Sequence, residues 1–214
     1  MSLLAQIEQN LQAVDWDFTA EKSQLGRAIE RYLLLIEKWN KVHNLTAIRD
    51  PQQMVAQHIM DSLAVLPHIR GPQIVDVGSG AGLPGIPIAL ARPDWQVTLV
   101  ESNQKKAAFL QQAKIELGLQ NVNIMAQRIE QIEVKSVNTI ISRAFSELGE
   151  FITLTRRWAV AENAGCRWAA MKAECSAQER NQVQPPFAIA NTVALQVPEL
   201  NATRQLIIIE CHQP

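Results

Sequence analysis

The segment from residue 74 to residue 85 joins an apolar run to closely spaced glycines. The run Ile74-Val75-Asp76-Val77 precedes glycines at positions 78, 80 and 82, and a second apolar stretch begins at Leu83-Pro84. Glycine adopts positive φ and lets a ligand approach the backbone with no Cβ in the way. Doubly wound sheets bind cofactors at such a turn between a first strand and its helix. The predicted cofactor-binding residues here are Asp76, Gly78, Gly80, Gly82 and Leu83.

The spacing of these glycines distinguishes between two cofactor classes. The dinucleotide fingerprint G-x-G-x-x-G, counted from Gly78, needs a glycine at position 83, where this chain has leucine. The spacing G-x-G-x-G after an aspartate is instead typical of methyltransferases that use S-adenosylmethionine (SAM). We therefore predict SAM as the cofactor, and a dinucleotide-binding protein without catalytic activity is the less favoured alternative.

Two acidic positions follow at spacings that suit the same cofactor. Glu101 comes 19 residues after Gly82 and ends an apolar run, close to the spacing of about 20 expected for the acid that binds ribose hydroxyls. A carboxylate can accept both hydroxyl protons. Ile129-Glu130 comes after the next apolar run, where the backbone near Ile129 or the carboxylate of Glu130 could contact adenine. An ordinary solvated helix start is the alternative for that pair.

Short apolar runs alternate with helical patterns through the rest of the chain. This alternation indicates βαβ units, and thus an α/β fold with a mostly parallel sheet and helices on both faces. The last two runs predict an antiparallel hairpin at the sheet edge. The predicted strands are Gln73–Val77, Gln96–Val100, Val122–Met125, Val137–Ser142, Arg167–Met171, Ala188–Gln196 and Gln205–Glu210, and the predicted helices are Pro84–Ala91, Asn103–Leu117 and Glu147–Val160.

The first 70 residues have a different pattern, without a good strand candidate. Apolar residues recur at helical spacing from Leu25 to Ile36. A second helix begins at Pro51 with Asp50 as its cap, and would end near Pro67. We therefore predict a helical extension over residues 1–70 and a cofactor-binding domain over residues 71–214.

Composition narrows the function classes. The formal net charge is −1, yet residues 22–49 hold six basic and two acidic residues, so this segment carries +4 and the rest −5. A basic face of this kind could meet RNA phosphates, although a solvated helix face has the same composition. The three cysteines lack metal-site spacing, which argues against zinc and disulfides and favours a cytoplasmic protein. No apolar run reaches the roughly 20 residues of a membrane span, and nothing indicates the oligomeric state.

Several motifs together resemble one bacterial family. They are Lys38-Trp39-Asn40-Lys41, Asn44-Leu45-Thr46, Arg49-Asp50-Pro51, His58-Ile59-Met60-Asp61-Ser62, the glycine loop with its Leu83-Pro84-Gly85-Ile86-Pro87 extension, Ile141-Ser142-Arg143-Ala144-Phe145 and Leu195-Gln196-Val197-Pro198. Over nearly its full length the chain resembles the RsmG (GidB) family of 16S ribosomal RNA guanine-N7 methyltransferases. The resemblance implies a class I SAM-dependent methyltransferase fold with an N-terminal helical extension. It also implies methylation of N7 of the guanine at nucleotide 527 of 16S rRNA in the small ribosomal subunit.

The resemblance implies SAM contacts at Gly78, Leu83, Ile129–Glu130 and Arg143. Two positions depart from the family pattern: Glu101 stands where aspartate is common, and Ala173 stands where glycine often follows the lysine at 172. The longer Glu101 side chain can keep the same role. The departure at Ala173 weakens any requirement for a glycine turn at this position.

The remaining candidates concern the reaction and the RNA. Guanine N7 has a lone pair and no proton, so no general base is required. We predict that Arg143 positions the SAM carboxylate or an RNA phosphate, and that His58 and Asp61, three apart on one helix face, orient the base or stabilise the cationic product. A structural contact between the extension and the sheet is an equal alternative for that pair. The predicted RNA contacts are Lys38, Lys41, Asn44, Arg49 and Lys172. A small-molecule methyltransferase remains the competing function.

Overall fold

One sheet of seven strands forms the centre of the protein in a computed structural model that describes residues 1–143, 147–158 and 165–212. The strands run in the order β3-β2-β1-β4-β5-β7-β6, with β7 antiparallel to both of its neighbours and the other pairs parallel. Their bounds are β1 Gln73–Val77, β2 Gln96–Val100, β3 Val122–Met125, β4 Thr139–Arg143, β5 Arg167–Lys172, β6 Phe187–Ala194 and β7 Gln205–Cys211. The predicted α/β fold with a C-terminal antiparallel hairpin is confirmed.

The central strands are buried on both faces, as parallel strands covered by helices must be. β1, β2 and β3 have the bounds that their apolar runs predict. The order reverses between β1 and β4, so the carboxyl ends of these two strands flank the crevice where doubly wound sheets bind ligands. Ser142 Oγ donates to Val77 O at 2.8 Å and ties the two strand ends together.

Four helices follow strands of the sheet or precede its last hairpin, namely α5 Gly85–Ala91, α6 Gln104–Leu117, α7 Leu148–Thr155 and α8 Ala177–Arg180. Asn103 caps α6 through its side-chain oxygen, and Gly118, at φ +68°, ends the same helix. α7 is shorter than predicted, since a 3₁₀ turn over Arg156–Trp158 follows it. The predicted end of that helix at Val160 lies outside the described residues.

The extension consists of α1 Leu3–Gln12, α2 Lys22–His43, α3 Pro51–Met54, a π-helical turn Val55–Met60 and α4 Asp61–Leu63. Asp50 caps α3 by accepting from Gln52 N, as predicted. The expectation of one regular helix from Pro51 to the neighbourhood of Pro67 is wrong. A π turn interrupts it, and the α-helical part ends at Leu63, before a 3₁₀ turn over Leu66–His68.

Two apolar clusters cover the sheet, one on each face. The larger cluster contains side chains of the extension, of α5 and of α6, and the smaller one contains side chains of α7 and the segment before β4. Tyr32 of α2 is fully buried and donates its hydroxyl to the carbonyl of Ala81 in the glycine loop. The extension therefore braces the loop, whereas a domain boundary at residue 70 stays a prediction. Over the described residues no helix has the length and apolarity to cross a bilayer.

Candidate functional site

The glycine loop makes a tight path from β1 to α5. Gly78, Gly80 and Gly82 have φ of +70°, +59° and +87°, a region that other residues rarely adopt. A Cβ on Gly82 would lie 2.5 Å from Ile86 Cδ1, so the loop cannot accept a side chain there. The N–H groups of Gly78 and Ser79 both donate to Val100 O, at 2.9 and 3.1 Å. The loop is thereby fixed against the end of β2.

Asp76 supports this loop from below. It is fully buried, and its Oδ2 accepts from Gly85 N at 2.9 Å, while its carbonyl accepts from Ser79 Oγ at 2.9 Å. Its Oδ1 has no hydrogen-bond partner among the described residues. Burial raises the pKa of Asp76 to about 7. Of the predicted cofactor ligands, Asp76, Gly82 and Leu83 lie behind the loop surface and shape it, rather than lining a pocket.

Glu101 joins the loop to the start of α6. Its Oε2 accepts from Gly80 N at 2.9 Å and its Oε1 accepts from Asn103 N at 2.7 Å. Both oxygens are thus oriented by backbone donors, which fixes a negative charge at the carboxyl end of β2. The carboxylate lies beside Gly78 in a pocket of about 390 Å³, which we call the loop pocket. The pocket is lined by Gly78, Val100, Glu101, Ser102, Gln127, Arg128, Ile129, Glu130 and Leu154.

Four of the predicted cofactor residues therefore share the loop pocket, namely Gly78, Glu101, Ile129 and Glu130. Ile129 and Glu130 lie on a short 3₁₀ turn after β3, and Arg157 holds that turn by donating to the carbonyls of Ile129 and Ile132. Sequence reasoning missed Gln127 and Leu154 as lining residues. Neither has a motif, and Leu154 reaches the pocket from α7.

A second pocket, of about 350 Å³, lies on the other side of the β1–β4 boundary, and we call it the arginine pocket. Its centre is the buried carboxylate of Asp61, at the start of α4. Asp61 Oδ2 accepts from Arg143 Nη1 at 3.3 Å, and Oδ1 accepts from Arg204 Nε at 3.0 Å. The pocket is lined by Ile48, Gln57, His58, Asp61, Arg143, Met171, Lys172, Ala173 and Arg204.

The charges in this pocket compensate one another. Burial raises the pKa of Asp61, and the two guanidinium groups oppose that shift by favouring its anion. Arg143 and Arg204 are partly exposed, so each presents donors toward the pocket while bound to Asp61. Sequence reasoning brought Arg143, His58 and Asp61 together and missed Arg204. Arg204 lies 143 residues from Asp61 and has no motif around it that could have revealed the contact.

His58 links the arginine pocket to the loop after α2. Its Nε2 lies 2.8 Å from Thr46 Oγ1, and its Nδ1 lies 3.1 Å from the carbonyl oxygen of Gln57. Asn40 holds the same loop by donating to Thr46 O at 2.9 Å and accepting from Thr46 N at 3.0 Å. Burial lowers the pKa of His58 to about 4, and the positive charge of Arg143 acts in the same direction. The imidazole is therefore neutral near pH 7.

Lys172 lines the arginine pocket and has a carboxylate partner. Its Nζ lies 2.7 Å from Glu179 Oε1, and both side chains are about nine-tenths buried. Glu179 also accepts from Leu148 N at the start of α7. The pair with Glu179 holds the ammonium group in place, and an RNA contact of Lys172 stays a prediction.

The other predicted RNA contacts are exposed residues of α2 and of the loop after it. Lys38 and Lys41 are exposed on α2, and Lys41 forms an exposed pair with Glu37 at 3.4 Å. Asn44 ends α2 in the left-handed conformation at φ +47°, and it and Arg49 are exposed. Trp39, in contrast, packs edge-on against Phe109 at 5.6 Å, so its ring belongs to the core. Of the Ser-Arg-Ala-Phe motif, Ala144 and Phe145 lie outside the described residues.

The sequence comparisons identify one family, and the structural comparison supports the fold. The family model of GidB, described as rRNA small subunit methyltransferase G, matches residues 26–208. The ribosomal RNA small subunit methyltransferase G of Nitrosomonas eutropha is 49% identical over 213 residues, covering 99% of both chains. The protein of the same name from Nitrosomonas europaea is 48% identical over 215 residues, covering 100% of both. Among solved structures, a mutant of MtNAS in complex with SAM superposes with a TM-score of 0.56 at 17% identity, covering 98% of this chain and 90% of the other.

Proposed function

The chain belongs to the GidB family of small-subunit ribosomal RNA methyltransferases, and from that premise we propose that it methylates N7 of the guanine at nucleotide 527 of 16S rRNA. Members of this family use SAM as the methyl donor. The observation that carries the proposal is the pair of pockets on either side of the β1–β4 boundary. The loop pocket suits a nucleoside with its ribose at a carboxylate, and the arginine pocket suits a polar base.

The residues of the loop pocket fit SAM. Glu101 offers oriented carboxylate oxygens to ribose hydroxyls, and a carboxylate has about four acceptor sites, so its two backbone bonds leave capacity for a ligand. Gly80 has open space on its Cβ side, with only Gly78 O within 4 Å of the Cβ position. Asp76 is buried below this loop and, through its bond with Gly85 N, supports the backbone that SAM would approach.

We assign the adenine end of SAM to Ile129 and Glu130, and its sulfonium end to the side of Gly78 that faces β4. The apolar side chains of Ile129 and Leu154 offer surface to the adenine ring, and Glu130 offers an acceptor to its amino group. The methionine part would then extend toward Arg143. A guanidinium matches a carboxylate with two parallel donors, so Arg143 is the candidate for orienting that end.

We assign the guanine base to the arginine pocket. When bound, SAM supplies a methyl group on a sulfonium, the N7 lone pair takes it, and a neutral thioether and a cationic purine remain. No residue needs to remove a proton, so the neutral imidazole of His58 has no base chemistry to perform. Asp61 is the carboxylate that would stabilise the cationic purine, and Arg143 and Arg204 favour its anion against the burial that raises its pKa.

The RNA strand itself would follow α2 into the arginine pocket. Lys38, Lys41 and Arg49 offer exposed positive charges, and Asn44 offers an amide. Ile48, next to Arg49 in the loop after α2, lines the arginine pocket, which supports a path for the strand from these charges to the base. Phosphate contacts of this kind give affinity and register without reading sequence. We leave Lys172 out of the proposed contacts because of its pair with Glu179.

The decisive experiment measures methyl transfer from labelled SAM to 16S rRNA and to small subunits that lack this modification, followed by mapping of the methylated nucleotide. We expect one N7-methylguanosine at nucleotide 527. Incorporation at another nucleotide or another atom would leave the family assignment in place and overturn the proposed target. No incorporation into either substrate, with SAM binding intact, would favour the competing reading of a small-molecule substrate.

A further inference from the structure

The π-helical turn Val55–Met60 changes which backbone group is available next to the arginine pocket. In an α-helix the N–H of Asp61 would bond the carbonyl of Gln57, four residues earlier. Here Asp61 N–H donates to Ala56 O, five residues earlier, and to His58 O. The carbonyl of Gln57 therefore does not receive its usual backbone donor. Single π turns inside helices are frequent at functional sites for reasons of this kind.

Two side chains take the place of that donor. Arg143 Nη1 donates to Gln57 O at 3.1 Å, and His58 Nδ1 lies 3.1 Å from the same oxygen. A carbonyl oxygen has two lone pairs, so both bonds can form together. Gln57 O thus helps to orient the same guanidinium nitrogen, Nη1, that donates to Asp61 Oδ2. The π turn is the reason that this oxygen is free to do so.

The hydrogen bonds also fix which nitrogen of His58 carries the proton. A pair between Nδ1 and a carbonyl needs hydrogen on Nδ1, because the oxygen is only an acceptor. Nε2 of the neutral ring must then accept, and Thr46 Oγ1 at 2.8 Å is its partner. Thr46 Oγ1 already accepts from Ile48 N at 3.2 Å, which leaves its hydroxyl hydrogen to donate to Nε2. The contact of 3.5 Å between Arg143 Nη1 and His58 Nδ1 is then packing, not a hydrogen bond.

We propose that Thr46 is a positioning residue for the methyl transfer, which acts through the His58 tautomer and the Gln57 carbonyl to hold Arg143. The hydroxyl of Thr46 donates to Nε2, so the proton of the ring stays on Nδ1. Nδ1 then donates to Gln57 O, and this bond holds the carbonyl where Arg143 donates to it. Without the hydroxyl donor, the proton of the ring could move from Nδ1 to Nε2. The unprotonated Nδ1 and Gln57 O would then repel each other, because both are acceptors. The assignment rests on the proposed role of the arginine pocket.

The test compares Thr46→Val with Thr46→Ser and with native protein. Valine keeps the shape and removes the hydroxyl, serine keeps the hydroxyl, and Asn40 holds the backbone of residue 46 in all three. Methyl transfer to small-subunit RNA should fall roughly tenfold in kcat for Thr46→Val, because small misplacements of an orienting group cost about 10- to 100-fold. Thr46→Ser should recover most of that loss. Thr19→Val, which removes a hydroxyl bonded to Asp94 outside both pockets, should have no effect.

The imidazole nitrogen signals of His58 in ¹⁵N NMR give a second readout that does not depend on the substrate. Native protein should show the Nδ1–H tautomer, with protonation near pH 4. Thr46→Val should show a mixed tautomer, since valine leaves Nε2 without its hydroxyl donor. The charged groups that face this ring are Asp61, Arg143, Lys172 and Arg204, and all of them are unchanged in the variant.

Each outcome bears on the proposal. A Thr46→Val protein with an altered tautomer and native kcat would overturn it, and so would an unaltered tautomer. Equal losses in Thr46→Val and Thr46→Ser would assign the effect to packing of the methyl group and also overturn it. Thermal unfolding shows whether each variant is folded. If Thr46→Val does not fold, the kcat of Thr46→Ser and the His58 tautomer in native protein and in Thr46→Ser decide. If even native protein methylates no ribosomal RNA, the proposed function fails, while the NMR result on the His58 tautomer still stands.

Discussion

The loop pocket and the arginine pocket lie side by side at the carboxyl edge of the sheet, yet they are built from different interactions. The loop pocket is shaped by backbone donors around one carboxylate, with Glu101 held by Gly80 N and Asn103 N. The arginine pocket is a cluster of buried charges, in which Asp61 is shared by Arg143 and Arg204. Removing one partner from a buried ionic cluster leaves an uncompensated charge, whereas backbone donors can find water. Substitutions should therefore be more damaging in the arginine pocket.

The sharpest test of this difference is reversal of the charge at Arg143. Arg143→Glu places a carboxylate against Asp61 and removes a cation from the methyl-transfer site, so methylation should fall by about 1,000-fold or more. The measurement is kcat/KM with small-subunit RNA, with circular dichroism to check the fold. Arg143→Gln removes the charge without placing a carboxylate against Asp61. It is the variant to measure if Arg143→Glu does not fold.

Arg70→Gln is the matched control for this prediction. It breaks an exposed arginine–glutamate pair with Glu210 at 3.7 Å, which is the kind of pair that contributes little. Its activity should stay within about twofold of native. Native-like activity in folded Arg143→Glu would remove Arg143 from the reaction and end the contrast between the two pockets.

Two buried titratable groups, Asp76 below the glycine loop and His58 in the arginine pocket, should have opposite effects on stability as the pH changes. Asp76 under the glycine loop has a folded pKa of about 7, against about 4 when unfolded, so the folded state binds more protons in that window. Asp76 therefore contributes most to the free energy of unfolding below pH 4. This contribution, roughly 4 kcal/mol, is lost as the pH rises to 7. His58 has a folded pKa of about 4, so its contribution is present above pH 6.5 and is lost as the pH falls to 4, by roughly 3 kcal/mol.

Asp76→Asn separates these two effects. The variant keeps an oxygen for Gly85 N and cannot ionise, so the difference in unfolding free energy between variant and native should grow with pH from 4 to 7, by up to roughly 4 kcal/mol. Urea unfolding at several pH values measures it. With the Asp76 term gone, the variant's stability should rise between pH 4 and 6.5, following His58. A difference that does not change with pH would show that Asp76 is ionised in the folded protein.

A direct comparison of the pockets comes from Asp61→Asn. The amide leaves Arg143 and Arg204 without their shared anion, and kcat/KM for RNA should fall about 100-fold. Asp61 acts on SAM only through Arg143, so SAM affinity measured by calorimetry should fall less than RNA turnover, by about threefold. Asp94→Asn is the control, since it neutralises an exposed aspartate paired with Arg92. Equal losses of SAM affinity and RNA turnover would mean that the pockets are one functional unit.

The same contrast explains what sequence reasoning could find. The bounds of β1, β2 and β3 follow from short apolar runs, and Glu101 follows from a fixed distance along the chain. The contact between Gly80 and Glu101 spans 21 residues, within one βαβ unit. Such a unit has few possible arrangements, because crossover connections are short and right-handed. The loop pocket could therefore be predicted largely from the sequence.

The arginine pocket could be predicted only where a family motif marked it. Arg143 and the His58–Asp61 pair came from such motifs, but their meeting depends on the order of strands across the sheet. Arg204 precedes β7 and meets Asp61 only because β7 inserts between β5 and β6. The π turn was also missed, since the residues from Val55 to Met60 are consistent with a regular helix. The pair of Lys172 with Glu179 could not be predicted either, since the position of Glu179 is set by the packing of α8.

Glu101→Gln tests the loop pocket by itself. The amide nitrogen of glutamine would face the N–H of either Gly80 or Asn103, and two donors cannot bond each other. The site would also lose one acceptor for a ribose hydroxyl. SAM affinity should fall about tenfold, in line with the loss of one charge-assisted hydrogen bond. The KM for RNA should remain native at saturating SAM. Glu116→Gln, on the exposed end of α6, should change neither quantity, and a change in RNA KM alone for Glu101→Gln would contradict the assignment of this pocket to SAM.

The smallest effect is expected from the surface that leads into the arginine pocket. Lys38→Ala with Lys41→Ala removes two exposed charges from α2 and leaves both pockets intact. RNA affinity should fall a few-fold at moderate salt, and the slope of log affinity against log salt should drop by about 1.4, since each of the two phosphate contacts contributes roughly 0.7 on single strands. SAM binding should be unchanged. Lys135→Ala, near the amino end of β4, is the control, because the strand ends there face away from both pockets. An unchanged salt slope in the double variant would restrict RNA recognition to the arginine pocket, and the contrast between the two pockets would then account for the whole of substrate binding.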